Sequence, residues 1–171
     1  VAEQCGSLRA IIHNASDWLP ENAGHPAAEI MRRMMQVHVN APYLLNLALT
    51  PLLLETSASH ADIIHVGDYV STRGSKKHIA YAASKAAQDN LTLSFSASLA
   101  PRVKVNSIAP ALVIFNDDDD EQYREKAREK SLMQREAGLD EFQRTVDYLL
   151  ESVYVTGRIL HIDGGRHLKV A

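Results

Sequence analysis

Tyr81 and Lys85 stand four residues apart in the run 79-IAYAASKAAQDNLTLSFSASLA-100, and Asp68 stands thirteen residues before the tyrosine. Residues four apart on a helix share a face. A free phenol titrates near pH 10 and is a weak acid at neutrality, with "about 10" as its reference pKa. A neighbouring ammonium favours the phenolate and lowers that value. The pair could then exchange a proton with a substrate near neutral pH. For a Tyr/Lys pair alone the default reading is a surface tyrosine and a solvated lysine. Asp68 adds a third group. An ionised carboxylate offers only acceptors, so it suits a group rich in N–H donors, such as an amino-substituted heterocycle, better than a carbonyl oxygen. Its charge beside Tyr81 would raise the phenol pKa, opposing Lys85 and favouring proton donation. Reduction of a C=N bond, which needs hydride at carbon and a proton at nitrogen, fits that set. The plain alternative for Asp68 is a loop acid bracing its own turn.

These side chains need elements to hold them, and the pattern supplies alternating strands and helices. LRAIIH (8–13) reads as a buried strand stopped by Asn14, and AAEIMRRMMQVHV (27–39) has helical spacing with Ile30, Met34 and Val37 on one side. Pro42 interrupts that pattern before YLLNLALTPLLLE continues it, which predicts a kinked or restarted helix around Asn40 to Pro42. ADIIHVG (61–67) is the next strand, 79–100 a long helix, RVKVNSIA (102–109) a third strand, LDEFQRTVDYLLE (139–151) an amphipathic helix and RILHID (158–163) a last strand. Such alternation predicts a doubly wound, Rossmann-like α/β fold with a parallel sheet. Ligands of such sheets bind beyond the carboxyl ends of the strands, and Asn14, Asp68 and Pro110 all fall there.

Composition narrows the function classes. The 171 residues suffice for one domain with a core, and 18 basic against 21 acidic side chains leave a net charge of −3. That balance makes no electrostatic case for nucleic acid. The single cysteine, Cys5, excludes an internal disulfide and suggests a reducing, cytoplasmic setting. No signal peptide is visible, and the longest apolar stretch, 43–54, is too short and interrupted to span a bilayer. The eight histidines show no metal-ligand spacing, so no metal is expected. The acidic run Asp117 to Glu121 reads as the negative start of a helix, with Arg124 and Arg128 able to pair with Glu121 and Glu125. Met31, Met34 and Met35 read as core filler, and His65 as a core or sheet residue.

Taken together, the short motifs resemble the short-chain dehydrogenase/reductase family. The carriers are His13-Asn14-Ala15-Ser16, Asn40 at the helix kink, Tyr81-x-x-x-Lys85, Asn106 to Ala111 with Ala111 in a glycine's place, and Thr156 to Gly165. They run in order from about Leu8 to Arg166. The resemblance implies that Tyr81 donates the proton. Lys85 would hold the nicotinamide ribose and lower the tyrosine pKa, and Asn40 would hold a water that relays protons to Lys85. Asn14, Ala15 and Ser16 would contact the cofactor, the first two lining the adenosine side through their backbone. Pro110, Ala111 and Leu112 would meet the nicotinamide amide. A segment of about 112–133 would cover the substrate.

Most of the family has a serine where this chain has Asp68. An aspartate there, ahead of Tyr81 and Lys85, resembles the pteridine-reductase branch. That implies NADPH as cofactor and a dihydropterin as substrate, of the dihydromonapterin or dihydrobiopterin type, with weak reduction of dihydrofolate. It also implies a homotetramer paired through 41–55, 79–100 and the C-terminal segment, with the small face Ala83, Ala86, Ala87 suited to close packing. The family's first strand and glycine-rich turn have no counterpart here, so 1–171 is expected to be a single Rossmann-like domain lacking its first βαβ portion. Two other readings stay open: a short-chain carbonyl reductase, acting for example on 3-oxoacyl thioesters, and a catalytically silent dinucleotide-binding protein.

Overall fold

Short apolar runs closed by Asn14, Gly67, Pro110 and Gly164 become the four strands of one sheet, β1 (Ala10–His13), β2 (Ala61–Val66), β3 (Val103–Pro110) and β4 (Ile159–Ile162). The computed structural model describes residues 4–169. The first residues also read in the sequence as the end of a helix, and residues 1–3 of that stretch lie outside the described residues. All neighbouring strands are parallel and lie in the order β1-β2-β3-β4. The helices are α1 (Ala27–Met35), α2 (Ala41–Leu54), α3 (Ile79–Leu99), α4 (Glu121–Arg128) and α5 (Leu139–Glu151).

Strand side chains alternate between the two faces of the sheet, and both faces are covered. Ile63 and Val105 pack with Leu53 of α2 and Phe95 of α3. Ile64 and Ile108 pack with Leu149 of α5. The doubly wound parallel architecture expected from the sequence is what the chain adopts. On the first face, α1 packs on the start of α3 through Ile30, Met34 and Ala80, with Leu19 and Tyr81 against them. Of the three methionines expected in the core, Met34 is fully buried, Met35 half-buried, and Met31 exposed.

The expected kink takes a specific form. One π-helical turn, Gln36–Asn40, joins α1 to α2, and the Ala41 N–H reaches the Gln36 carbonyl. In an unbroken α-helix the ring of Pro42 would press on the carbonyl of His38, four residues back. A wider turn relieves that contact and needs no N–H from the proline. The run 43–54 thus lies in a longer helical rod than its apolar pattern implied. The rod Ala27–Leu54 is long and apolar enough to cross a membrane by length and composition alone. Its Ile30, Met34, His38, Asn46 and Leu53 are buried in the domain.

Polar clamps fix the frame. Asp62 of β2 is fully buried between Arg9 and Lys104, and the Lys104 ammonium lies 2.8 Å from Asp62 Oδ1. Lys104 also donates to the Leu149 carbonyl at 2.6 Å and Arg9 to the Leu150 carbonyl at 2.8 Å, tying the sheet to the end of α5. A second buried chain runs between the sheet and the α2/α3 layer. Thr92 gives its proton to the Gln88 carbonyl, so His65 Nδ1 donates to Thr92 Oγ1, at 2.8 Å. His65 Nε2 then accepts from Asn46 Nδ2 at 3.3 Å, and Asn46 Oδ1 accepts from His13 Nε2 at 2.7 Å. His65 is therefore a sheet residue, as its alternation implied.

The acidic run does open a helix. Asp120 caps α4, its Oδ1 accepting from the Tyr123 N–H at 2.7 Å. The side-chain pairing differs from the helical-spacing expectation. Arg128 reaches Glu121, a full two turns back, and Glu136. Arg124 instead donates to the carbonyls of Asp119 and Asn116. Backbone acceptors freed by the loop before α4 outcompete an exposed carboxylate one turn away.

Candidate active site

The carboxyl ends of β1, β2 and β3 bring the site together. Asp68 follows β2 by two residues and caps a 3-10 turn, Tyr69–Thr72, with its Oδ1 accepting from the Val70 N–H at 2.8 Å. Its other oxygen, Oδ2, accepts the Tyr81 hydroxyl proton at 2.7 Å. One oxygen thus braces the turn, and the other sets the carboxylate's charge against the phenol, as the sequence led us to expect. Gly67 makes this approach possible. A Cβ there would meet Ser107 Oγ at 2.8 Å and the Ile108 carbonyl at 3.4 Å.

Tyr81 lies in the first turn of α3, and Lys85 follows on the same face with Nζ 5.8 Å from the phenol ring centroid. Lys85 is almost wholly buried; it donates to the Val66 carbonyl at 2.7 Å and to Gln88 Oε1 at 3.3 Å. An ammonium has three donors, so one remains for a hydroxyl such as that of a ribose. Burial pulls the Lys85 pKa down to about 8, against the upward pull of Asp68 and Asp89. Tyr81 moves the other way. Burial, then the charge of Asp68 and its hydrogen bond, push the phenol well above its usual value, and Ser16 opposes them. The expected lowering by Lys85 is therefore not what sets Tyr81: desolvation and the adjacent carboxylate win, and the phenol stays protonated at neutral pH.

The structure corrects the place given to Asn40. Its side chain is exposed and donates to Gln36 Oε1 at 3.2 Å, so it stands away from Lys85. The π-turn turns His38 inward instead. His38 is fully buried, edge-on to the Tyr81 ring at 5.3 Å. Ser84 gives its proton to the Tyr81 carbonyl, so His38 Nδ1 donates to Ser84 Oγ, at 2.8 Å. Its Nε2 lies 2.9 Å from Ser16 Oγ and accepts weakly from the Asp17 N–H at 3.4 Å. Burial and the charge of Lys85 lower its pKa to about 4, so it is a neutral acceptor. Ser16 thus donates to the imidazole and stands close enough to the phenol to influence its titration.

Asn14, Ala15 and Ser16 form an exposed ledge directly after β1. Pro110 ends β3, and Ala111 donates to the Ile162 carbonyl at 3.0 Å. A cleft of about 270 Å³ is lined by Ala111 together with Trp18, Asp68, Tyr69, His78, Tyr81 and Arg166, among others. Two of these matter beyond the expected set. Trp18 is 63% exposed and stacks on His78 with centroids 4.5 Å apart. The Arg166 guanidinium lies 4.8 Å over the Tyr69 ring. Trp18 is the only tryptophan and follows the HNAS turn by two residues, a signal that could have marked it. Glu21 holds this loop in place, its Oε1 accepting from the Ala80 N–H at 2.9 Å.

Residues 1–167 match a sequence family described as enoyl-(acyl carrier protein) reductase. The dihydromonapterin reductase of Klebsiella pneumoniae is 57% identical over 169 residues, covering 99% of this chain and 70% of that protein. The dihydromonapterin reductase of Escherichia coli K12 is likewise 57% identical, with the same coverage. The chain belongs to the short-chain dehydrogenase/reductase family.

Among solved structures, this short-chain reductase resembles the FolM alternative dihydrofolate reductase 1 of Brucella suis in complex with NADP. The TM-score is 0.86 at 28% identity, covering 99% of this chain and 68% of that one. The Pseudomonas aeruginosa RhlG/NADP complex shares the fold, with a TM-score of 0.87 at 24% identity over 97% of this chain and 69% of that one. Two further motifs of this reductase do structural work. Asn106 donates to the Val155 carbonyl at 2.9 Å and accepts from the Arg158 N–H at 3.0 Å, which seats the Thr156-Gly157 turn. Asp163 accepts from the Gly165 and His167 N–H groups at 3.1 and 3.0 Å and so aims Arg166 toward the cleft.

The Lys85 value has a testable consequence. A lysine that loses its proton near pH 8 can no longer present a cation above it, so kcat/KM, which reports the free enzyme, should fall as pH rises through about 8. The Asp89 carboxylate raises the Lys85 pKa. Asp89→Asn should therefore move that alkaline limb to lower pH, as read from a profile of kcat/KM against pH. An unmoved limb would assign the titration to another group.

Proposed function

We propose that this chain catalyses the NADPH-dependent reduction of a dihydropterin to the tetrahydropterin. The observation that carries the reading is the Asp68 carboxylate on the Tyr81 hydroxyl at 2.7 Å, inside a cleft walled by Trp18. It is supported by the 57% identity to dihydromonapterin reductases. The likeness to the Brucella FolM alternative dihydrofolate reductases, solved in complex with NADP, supports it too.

The residues fit the cofactor. Lys85 has a donor to spare for a ribose hydroxyl, the exposed ledge Asn14–Ser16 would meet the adenosine side, and the backbone at Pro110, Ala111 and Leu112 would meet the nicotinamide amide, Ala111 lining the cleft itself. NADPH supplies the hydride. Asp68 accepts the N–H donors of the heterocycle through Oδ2, which frees the Tyr81 proton for the ring nitrogen, while Oδ1 stays on its turn. Tyr81 is the acid, and Lys85 places the cofactor ribose. His38 and Ser16 form the polar contact behind the phenol. Trp18 offers an aromatic face to the pterin.

Tyr43, Leu44, Leu47 and Leu54 on α2 and Leu93 on α3 are exposed, an apolar surface suited to the helix pairing of a homotetramer. We place the protein in the cytoplasm, where NADPH is supplied and Cys5 stays reduced. The test is NADPH oxidation with dihydrobiopterin or dihydromonapterin beside a 3-oxoacyl thioester. Turnover of the pterin alone supports the reading; turnover of the thioester alone overturns it and leaves Asp68 a turn-bracing acid.

A further inference from the structure

Arginines that this chain withdraws from water find acceptors, with one exception. Arg124 and Arg128 are half-buried, and they donate to the Asp119 and Asn116 carbonyls and to the Glu121 and Glu136 carboxylates. Arg166 is half-buried too. Among the described residues its guanidinium makes no ion pair and no hydrogen bond. It rests over the Tyr69 ring at 4.8 Å and lines the substrate cleft with Trp18, Asp68 and Tyr81.

The turn that carries it is held from several sides. The Arg166 N–H donates to the Asp163 carbonyl at 2.9 Å, and the Met133 N–H donates to the Gly164 carbonyl at 3.1 Å. Gly165 has a φ of 75°, and a Cβ there would meet Leu132 at 3.0 Å. A guanidinium has five donors and no acceptor. Donors drawn from water without a partner cost free energy, which an acceptor on a ligand recovers.

Asp68 has the opposite chemistry, since a carboxylate offers acceptors only. Its oxygens are engaged by Val70 and Tyr81, and no ion pair joins it to Arg166. Two walls of one cleft therefore ask for a ring that carries both N–H donors and a carbonyl. The pyrimidine half of a pterin is such a ring, with an amino group, a ring N–H and the 4-oxo group. We infer that Arg166 donates to the 4-oxo group of the pterin and so selects a ring that carries this carbonyl. This rests on the pterin reading above.

The experiment titrates the NADP-loaded enzyme by calorimetry with 6-methylpterin and with 2-amino-6-methylpteridine, the same ring without its carbonyl. A site built to hydrogen-bond a polar group rejects the analogue that lacks it. The parent should bind 6-methylpterin about 10- to 100-fold more tightly, the range of a hydrogen bond to a charged group. Arg166→Met should bring the two affinities close to equality by weakening the pterin alone, with NADP binding unchanged. Arg166→Lys keeps a cation over Tyr69 without the planar fork and should lose part of the preference. A preference unchanged in either variant overturns the inference. So does an equal weakening of both rings, which would make Arg166 a wall of the cleft. Weaker NADP binding in the variants overturns it as well and would assign the guanidinium to cofactor phosphates. If dihydrobiopterin is turned over and the preference survives Arg166→Met, the inference falls and the pterin reading stands. If neither ring binds the parent and no dihydropterin is turned over, both fall.

Discussion

Tyr81→Phe is expected to lower kcat for a dihydropterin by about 10²–10⁴-fold, the usual contribution of a positioned general acid. The substitution removes one oxygen and leaves the ring that packs with Ile30, Met34 and Ala80. It leaves Lys85 with its Val66 and Gln88 partners and Asp68 with its Val70 cap. NADPH binding, followed by cofactor fluorescence, should therefore survive where turnover does not. The phenol is pushed upward by burial and by Asp68, so the wild-type activity should show no limb from tyrosine ionisation below the one set by Lys85. Turnover by the Phe variant within a few-fold of the parent would mean that water or another group donates the proton, with Ser16 beside His38 the first candidate.

The second large effect belongs to Asp68. Asp68→Ser should cost about 10²–10³-fold in kcat/KM for the dihydropterin, the scale seen when a polar group aimed at the reacting centre is lost. Serine is a competent cap, so the Tyr69–Thr72 turn keeps its partner at Val70. The lost function is the acceptor that Oδ2 presents to N–H donors. Removing the charge also relieves the upward pull on Tyr81 and the stabilisation of the Lys85 cation. The alkaline limb should then move to lower pH as well. Asp68→Asn is the sharper companion, since it keeps the shape and one acceptor but presents an NH₂. Dihydropterin turnover unchanged in both variants would make Asp68 a structural acid only.

Much of this arrangement was legible in the sequence. The strands are short apolar runs with clear stops, and β2 and β3 fell within one or two residues of the expected ranges. Asp68, Tyr81 and Lys85 stood out because a strand end and one helical turn fix their relation without tertiary information. The miss at Asn40 has a definite cause. A helical wheel assumes a constant angle per residue, and the π-turn changes that angle within Gln36–Asn40. The direction of His38 was therefore hidden, although Pro42 announced that the helix was not regular. Trp18, Tyr69 and Arg166 were missed for another reason. They come from three loops far apart in sequence, and only the sheet brings them to one cleft. The double role of Asp68 lay in the backbone, because nothing in its residue type says which oxygen faces the turn.

The buried chain His13-Asn46-His65-Thr92 carries a further consequence, for the chain's tolerance of acid. Burial and the neighbouring imidazole and ammonium hold His65 near a pKa of about 3, and burial lowers His13, against a reference of 6.5. His65 must stay uncharged for its Nε2 to go on accepting from Asn46, while His13, which donates through Nε2, is kept neutral by burial. A released chain would take up those protons at their ordinary values. The stabilising contribution of the two rings is thus complete above pH 6.5 and drains away as the medium is acidified toward 3. Protons act here as ligands of the unfolded form. The inner seam between β1, β2 and α2 is where mild acid should first loosen the protein, well before its surface carboxylates are neutralised.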